Sequence, residues 1–434
     1  MRLFLLLPLL LLLPGLPGQS LYFPPIDGGA WEETAPTTLG YCPEGVRALS
    51  DFLEQSNTRA FILLKDGKIV MEEYYNNFGP DSLWLWNSAG KTVTAMLIGI
   101  AQQEGYLDLD DSASDYLGPG WTSATPEQES AISVRNLLSQ TSGLDDRQGD
   151  FCTDPECLEY LADAGTRWAY HNGSYTQLTA ILPAATGIPL NQYLLGRLRN
   201  RIGMNGGFLT LGYNRIYASN ARSMARFGLL MLNGGVWDGT RILDDTTYHR
   251  EMITSSQDLN PAYGYLWWLN GKDRLMVPQV RQVFNRPLTP SAPASTYVAM
   301  GKDGQLINVV PEENLVWIRM GDAFREGGLI AVDYNEEVWA RINGLECATS
   351  TASPSREETV AIFPNPVTDV LNLNSTQEMR EVTVLTAGGQ RLEAYHPAAR
   401  SLRLAARDLP LGMYFLRIRL SDGKEIWKRV VRTN

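Results

Sequence analysis

An eight-residue run of small and polar side chains, Ala348-Thr349-Ser350-Thr351-Ala352-Ser353-Pro354-Ser355, cuts this chain of 434 residues into two stretches. Such a run has no apolar face to bury and carries the composition of a linker. Before it, apolar residues recur at helical spacing. After it come short alternating segments, Val370-Leu371-Asn372-Leu373, Val382-Thr383-Val384-Leu385 and Tyr414-Phe415-Leu416-Arg417-Ile418, parted by Gly and Asn turns. Charge changes at the same place, with 11 Lys and Arg against 7 Asp and Glu from Thr359 onward and 26 against 41 before it. Two modules are expected: an α/β domain over 25–346 and, after a linker at 347–358, a small all-β sandwich over 359–434.

Within the long stretch, Pro43 to Gln55 places Val46, Leu49, Phe52 and Leu53 at helical spacing, and Ala60 to Tyr75 alternates like a hairpin around Lys65-Asp66-Gly67. Helical patterns dominate the middle. Strands return after about Tyr263, and an amphipathic segment from Ile330 to Ile342 closes the stretch. This order suggests an α/β sandwich with a helical insertion between the first and last strands of one sheet. No repeat of fixed period is present.

Arg2 followed by the apolar run Leu3 to Leu13 and then Pro14-Gly15-Leu16-Pro17-Gly18 reads as a secretory signal over 1–18. Its apolar core is well short of the roughly 20 residues of a membrane span, and no stable span is expected elsewhere. Export permits disulfides. The four cysteines allow three pairings; Cys152 and Cys157 are close enough to staple a small loop, and a Cys42 to Cys347 pair would tie the ends of the first module. A net charge of -11 repels phosphate backbones, so nucleic acid is not expected as a partner. Three scattered histidines offer no metal-ligand spacing, and neither a metal nor another cofactor is expected.

The chemistry points to Trp86-Asn87-Ser88-Ala89-Gly90-Lys91, which opens a segment with Val93, Leu97, Ile100 and Ala101 on one helical face. Ser88 and Lys91, three apart, share a face of a helix whose N-terminus favours negative charge. A serine hydroxyl is a poor nucleophile until a base takes its proton, and a lysine withdrawn from water can be that base. The competing reading makes Ser88 a helix N-cap. Ser421-Asp422-Gly423-Lys424 has the same spacing but sits on a turn-like sequence. Tyr170 and Asn172 share a direction in an extended chain, which offers a phenol and an amide together, while His171 points away and reads as structural. Tyr74 and Tyr75, in a similar pattern, read as strand packing. Trp84, Trp86, Trp267 and Trp268 either line an apolar acyl pocket or pack in the core.

Taken in order, Ser88-x-x-Lys91, Val134-Arg135-Asn136-Leu137-Leu138-Ser139-Gln140-Thr141-Ser142-Gly143-Leu144 and Tyr170-x-Asn172 resemble the SxxK serine hydrolases. That group holds the class C β-lactamases, low-molecular-weight penicillin-binding proteins and related esterases and amidases. Leu107-Asp108-Leu109-Asp110-Asp111, Ala225-Arg226-Phe227-Gly228-Leu229-Leu230, Asn233-Gly234-Gly235 and Tyr263-Gly264-Tyr265-Leu266-Trp267-Trp268 extend the resemblance over about residues 40 to 345. It implies a β-lactamase-like three-layer sandwich, an antiparallel sheet with a helical subdomain. It also implies Ser88 as the acylated nucleophile, Lys91 as its proton acceptor, Tyr170 as second acid and base, and Asn172 as a substrate contact.

The third motif departs from the family. Where β-lactamases carry Lys-Thr-Gly to hold a substrate carboxylate, this chain has Ala299-Met300-Gly301. The stretch Gly301-Lys302-Asp303-Gly304-Gln305 followed by Val310-Pro311-Glu312 is closer to the esterase and aminohexanoate-oligomer hydrolase branch. By that likeness Gly301 lets backbone approach the substrate, and the backbone N–H groups of Ser88 and Lys302 form an oxyanion hole, each worth about 2.7 to 4 kcal/mol in the transition state.

The second module resembles the C-terminal sorting domain of type IX secretion substrates, through Phe363-Pro364-Asn365-Pro366-Val367, Gly412-Met413-Tyr414-Phe415-Leu416 and the terminal Lys428-Arg429-Val430-Val431. An immunoglobulin-like sandwich, recognition by the type IX machinery and a secreted or outer-surface location are what this implies. An adhesive β-sandwich is the alternative. The expected function is a serine hydrolase that cleaves an ester or non-lactam amide in a small-molecule or peptide substrate. The alternatives are a β-lactamase or D-alanyl-D-alanine carboxypeptidase, and a catalytically inactive protein that uses the cleft for binding.

Overall fold

The computed structural model describes residues 21–147, 151–324, 331–347, 360–386 and 390–433. The signal segment 1–18, the linker residues 348–358 and Ile330 lie outside the described residues. The chain divides into two compact units on either side of the Cys347–Ala348 bond.

The first unit is built on six antiparallel strands in the spatial order Lys68–Tyr74, Thr58–Lys65, Leu315–Gly321, Gln305–Val310, Tyr297–Gly301 and Trp268–Leu269. The hairpin near the start of the chain thus lies beside the last strand of the unit. Asp66 and Gly67 supply its turn with positive φ (52° and 83°), which matches the right-handed twist of the paired strands. The central strands are buried throughout because both sheet faces are covered. On one face Phe61, Leu63, Val298, Leu306 and Trp317 pack beneath the helices Pro43–Gln55 and Val332–Ile342. On the other, Ile62, Leu64, Ala299, Ile307 and Ile318 join a core shared with the helix Ala221–Leu232. The helix Lys91–Gln103 runs on into a helical subdomain, against Leu178–Thr186 and Leu190–Arg197. The result is the three-layer sandwich with a helical insertion.

The middle of the chain is less helical than its pattern suggests. Trp84–Leu85, Asn214–Ser219 and Gly207–Leu211 form a three-stranded sheet. Leu209 and Leu211 on its outer strand are 49% and 45% exposed, so the alternation that marks a half-buried strand is missing there. Cys42 is bonded to Cys347 and Cys152 to Cys157.

The second unit is all β. Its long strand Val370–Thr386 pairs through its first half with Val360–Phe363 and Ala399–Ala405, and through its second half with Arg391–Tyr395 and Gly412–Leu420. Val360, Val367, Leu371, Leu373, Val382, Leu416, Ile418 and Val430 fill the core of this small sandwich. The side chain of Asn365 holds the last strand, accepting from Val431 N–H at 2.9 Å and donating to the Arg429 carbonyl at 2.8 Å. Ser421-Asp422-Gly423-Lys424 forms the turn before that strand, as its sequence suggests, with Gly423 at a φ of 85°. No helix among the described residues is long and apolar enough to cross a membrane.

Candidate active site

Ser88 sits on a 3-10 turn, Asn87–Gly90, that leads straight into the helix Lys91–Gln103. The chain enters this turn from a fixed strand, since Trp84–Leu85 is paired to Asn214–Ser219 and Trp86 N–H donates to the Tyr217 carbonyl at 2.8 Å. Asn87 takes a φ of 50°, a left-handed conformation that asparagine tolerates better than most residues. The Ser88 side chain caps neither the turn nor the helix. Instead Lys91 Nζ donates to Ser88 Oγ at 2.9 Å.

Lys91 is 2% exposed whereas Ser88 is only half-buried, so the hydroxyl is reachable and the amine behind it is shielded. A buried amine needs partners. Lys91 Nζ also donates to Asn172 Oδ1 at 2.9 Å and lies 3.9 Å and 5.0 Å from the ring centres of Tyr175 and Tyr170. Such ring faces attract a cation electrostatically.

Tyr170 and Asn172 are brought to Lys91 by the segment that includes Gln140. With a φ of 60°, Gln140 accepts His171 N–H through Oε1 at 2.6 Å and Ala169 N–H through its carbonyl at 2.9 Å. His171 caps the helix Asn172–Thr176, its Nδ1 accepting Ser174 N–H at 3.0 Å, which is the structural role read from its sequence. Tyr170 stacks on Trp268 with centroids 6.0 Å apart and meets Tyr263 edge-on. Burial pushes the Tyr175 and Tyr263 phenols well above their ordinary range, so both are neutral at any working pH.

The strand Tyr297–Gly301 closes the site from the sheet side. A Cβ on Gly301 would stand 2.4 Å from the Trp86 carbonyl oxygen and 3.0 Å from the Ala89 nitrogen, so only glycine allows the strand end to lie against the Ser88 turn. Ala299 and Met300 are buried and bring neither cation nor hydroxyl. The Lys302 side chain is exposed, and its carbonyl accepts from Asn87 Nδ2 at 3.0 Å. Ser88, Lys91, Tyr170, Asn172 and Gly301 therefore converge, and Lys302 is tied to the same turn through Asn87.

Trp86, Trp267 and Trp268 are fully buried, which is the packing alternative of the sequence reading, and half-buried Trp84 lies under Arg59 at 4.5 Å. Tyr74 ends the strand Lys68–Tyr74 and Tyr75 follows it, their hydroxyls bonded to Glu72 and Glu73. Four residues of the surroundings had no signal in the sequence. Asn87, Gln140, Tyr175 and Gln305 act through side-chain contacts that no spacing rule marks, although Asn87, Gln140 and Gln305 stood inside quoted motifs. A reachable hydroxyl bonded to a shielded amine, with a phenol and an amide beside it, is an arrangement suited to nucleophilic acyl transfer.

Residues 47–328 match the Beta-lactamase family, and residues 361–432 match the secretion system C-terminal sorting domain. The 6-aminohexanoate-dimer hydrolase of Paenarthrobacter ureafaciens is 24% identical over 270 residues, which are 52% of this chain and 68% of that protein. A penicillin-binding protein homologue from Caulobacter crescentus superposes with a TM-score of 0.53 at 15% identity, over 70% of this chain and 98% of the other. EstCE1, described as a hydrolase with promiscuous acyltransferase activity, gives a TM-score of 0.52 at 14% identity, over 69% and 97%. At these identities the likeness of the solved structures speaks to the fold.

Proposed function

Because the chain belongs to the β-lactamase family, a hydrolase fold that covers residues 47–328, we propose that it is an exported serine hydrolase which forms an acyl-enzyme on Ser88 and cleaves an ester or a non-lactam amide. The observation that carries this reading is the 2.9 Å hydrogen bond between Ser88 Oγ and Lys91 Nζ. In the proposed sequence, neutral Lys91 takes the hydroxyl proton as Oγ attacks the acyl carbon. The backbone N–H groups of Ser88 and Lys302 receive the developing oxyanion, and Tyr170 passes a proton to the leaving oxygen or nitrogen. Water, deprotonated by the Tyr170 phenolate, then attacks the acyl carbon and releases the acid as Lys91 returns its proton to Ser88 Oγ. Asn172 holds Lys91 and contacts the substrate.

The buried, apolar Ala299 and Met300 support an ester or open-chain amide over a β-lactam, since nothing there pairs with a carboxylate. The relative that hydrolyses a 6-aminohexanoate dimer favours the same choice. The sorting domain supports delivery to the outer surface or medium by a type IX machinery, which would be the second partner beside a small-molecule or peptide substrate.

The test is intact-protein mass spectrometry after a fluorophosphonate probe, followed by a panel of p-nitrophenyl esters and a chromogenic cephalosporin. One adduct is expected, absent from Ser88→Ala, with ester turnover well above cephalosporin turnover. Comparable rates on both would favour a β-lactamase or carboxypeptidase. A folded protein that takes no adduct would be a cleft-binding protein and not a hydrolase.

A further inference from the structure

Arg319 has no part in the scheme above, yet its surroundings are those of a built device. It lies on the strand Leu315–Gly321 and is fully buried. All five of its N–H donors are taken. Nε donates to Thr58 Oγ1 at 3.2 Å. One terminal nitrogen donates to the carbonyls of Asp303 and Gly304 at 2.5 and 3.1 Å, the other to those of Ser56 and Asp322 at 2.9 and 3.0 Å. The ring of Tyr334 covers the guanidinium at 4.7 Å. Four of the five acceptors are backbone carbonyls of turns. A buried cation is costly and an apolar side chain would fill the space more cheaply, so the guanidinium supplies geometry more than stability.

The geometry it supplies is that of the turn after Gly301. Asp303 and Gly304 both hold positive φ, 64° and 79°, and it is their carbonyls that Arg319 grips. Lys302 opens that turn. Its own carbonyl is held by Asn87 Nδ2 at 3.0 Å and Gln305 Nε2 at 3.3 Å, and the Gln305 amide is locked in turn on Gly321, accepting its N–H at 3.1 Å and donating to its carbonyl at 2.7 Å. A Cβ at Gly304 would lie 2.6 Å from Arg319 Nη1, and one at Gly321 would lie 2.5 Å from Cζ, so both glycines make room for the guanidinium.

We propose that Arg319 is a positioning residue of the oxyanion hole: by fixing the Asp303–Gly304 turn it aims the Lys302 N–H at the acyl oxygen. This rests on the assignment of Ser88 and Lys302 made above. Oxyanion donors act only within a few tenths of an ångström of hydrogen-bond distance, and the loss of one donor lowers kcat by about 100- to 1000-fold. A donor that is kept but loosened should lose less, about 10- to 100-fold.

The experiment compares wild type, Arg319→Met, Arg319→Lys and Arg319→Ala in steady-state hydrolysis of a p-nitrophenyl ester, with circular dichroism and thermal melting as the check on folding. The expected result is a kcat loss of about 10- to 100-fold in all three with KM within about threefold, because the missing contact matters only in the transition state. Lysine should rescue little, since an ammonium cannot span five acceptors in one plane. Added guanidinium ion should restore part of the Arg319→Ala kcat and none of the Ser88→Ala activity. A folded Arg319→Met enzyme with wild-type kcat overturns the proposal, and so does a loss that guanidinium leaves untouched. Should the Arg319 variants fail to fold, Gly304→Ala, which keeps the guanidinium and presses on it, is read by the same split, and an unchanged kcat there also overturns the proposal. A wild-type chain that takes no label on Ser88 overturns the underlying assignment and this proposal together, whereas a labelled wild type with an undiminished variant overturns this proposal alone.

Discussion

At the scale of single residues, the site depends on backbone approach as much as on reactive groups. Gly301 shows this, because the would-be methyl group collides with the Trp86 carbonyl and the Ala89 nitrogen and not with a side chain that could swing away. Gly301→Ala is expected to push the strand end from the Ser88 turn, lowering ester kcat by about 10-fold or more and stability by about 1–3 kcal/mol. Steady-state kinetics and a urea melt check both. Ser88, Lys91, Tyr170 and Asn172 could be picked out in the sequence because each pair stands two or three positions apart with a shared direction and falls, in order, within motifs that resemble the SxxK serine hydrolases. Tyr175 and Arg319 could not. Tyr175 meets Lys91 across a turn far along the chain, and Arg319 meets Thr58 across 261 positions, distances over which no periodicity carries information.

Elements add a second layer. The helix Thr246–Met252 packs on the helix Lys91–Gln103, where the Tyr248 hydroxyl donates to the Ala95 carbonyl at 2.6 Å. Its neighbour His249 is 9% exposed, and burial lowers the imidazole pKa below its ordinary value near 6.5, opposed by the Met231 backbone. A depressed pKa means that the unfolded chain binds the proton more readily. This stabilising contribution is therefore complete above about pH 6.5 and is lost as pH falls toward the folded-state value. The melting temperature should accordingly fall between pH 7 and pH 5.5 by more in wild type than in His249→Leu. Equal slopes in a pH series of thermal melts would remove His249 from the account. The hairpin at Asp66-Gly67 and the helix Pro43–Gln55 were legible because turn chemistry and amphipathic spacing agree with their tertiary surroundings. The Gly207–Leu211 strand was not, since its outward leucines break the alternation.

For the whole molecule, the Cys42–Cys347 bond joins the start and end of the first unit across a sequence separation of 305. Closing so long a loop restricts the unfolded chain far more than the folded one. The double variant Cys42→Ser with Cys347→Ser should lose about 2–5 kcal/mol while keeping its kcat. Denaturant unfolding and ester kinetics on the same preparation test the two halves of that statement, and a fall in kcat at full folding would place the bond in the site's support. The second unit has its own core and its own closure through Asn365, within the residues that match a secretion system C-terminal sorting domain.

The division between the two kinds of information follows range. Local order along the chain sufficed for the two modules and the helix-and-hairpin start, because hydrophobic period and turn residues act over a few residues; the Ser88-x-x-Lys91 and Tyr170-x-Asn172 pairs and the absence of Lys-Thr-Gly took their meaning from the resemblance to the SxxK serine hydrolases. The rest was decided by packing: that Ser88 lies one turn ahead of its helix and is bonded to Lys91, that Trp86, Trp267 and Trp268 are fully buried in the core, and that an arginine from the last strand of the first unit grips the turn beside the strand end. Behind them stand contacts such as Lys91 to Asn172, 81 positions apart, and Arg319 to Thr58, 261 apart, and what selects these is the fit of side chains in a close-packed interior and the need of every buried donor for an acceptor, neither of which leaves a periodic trace.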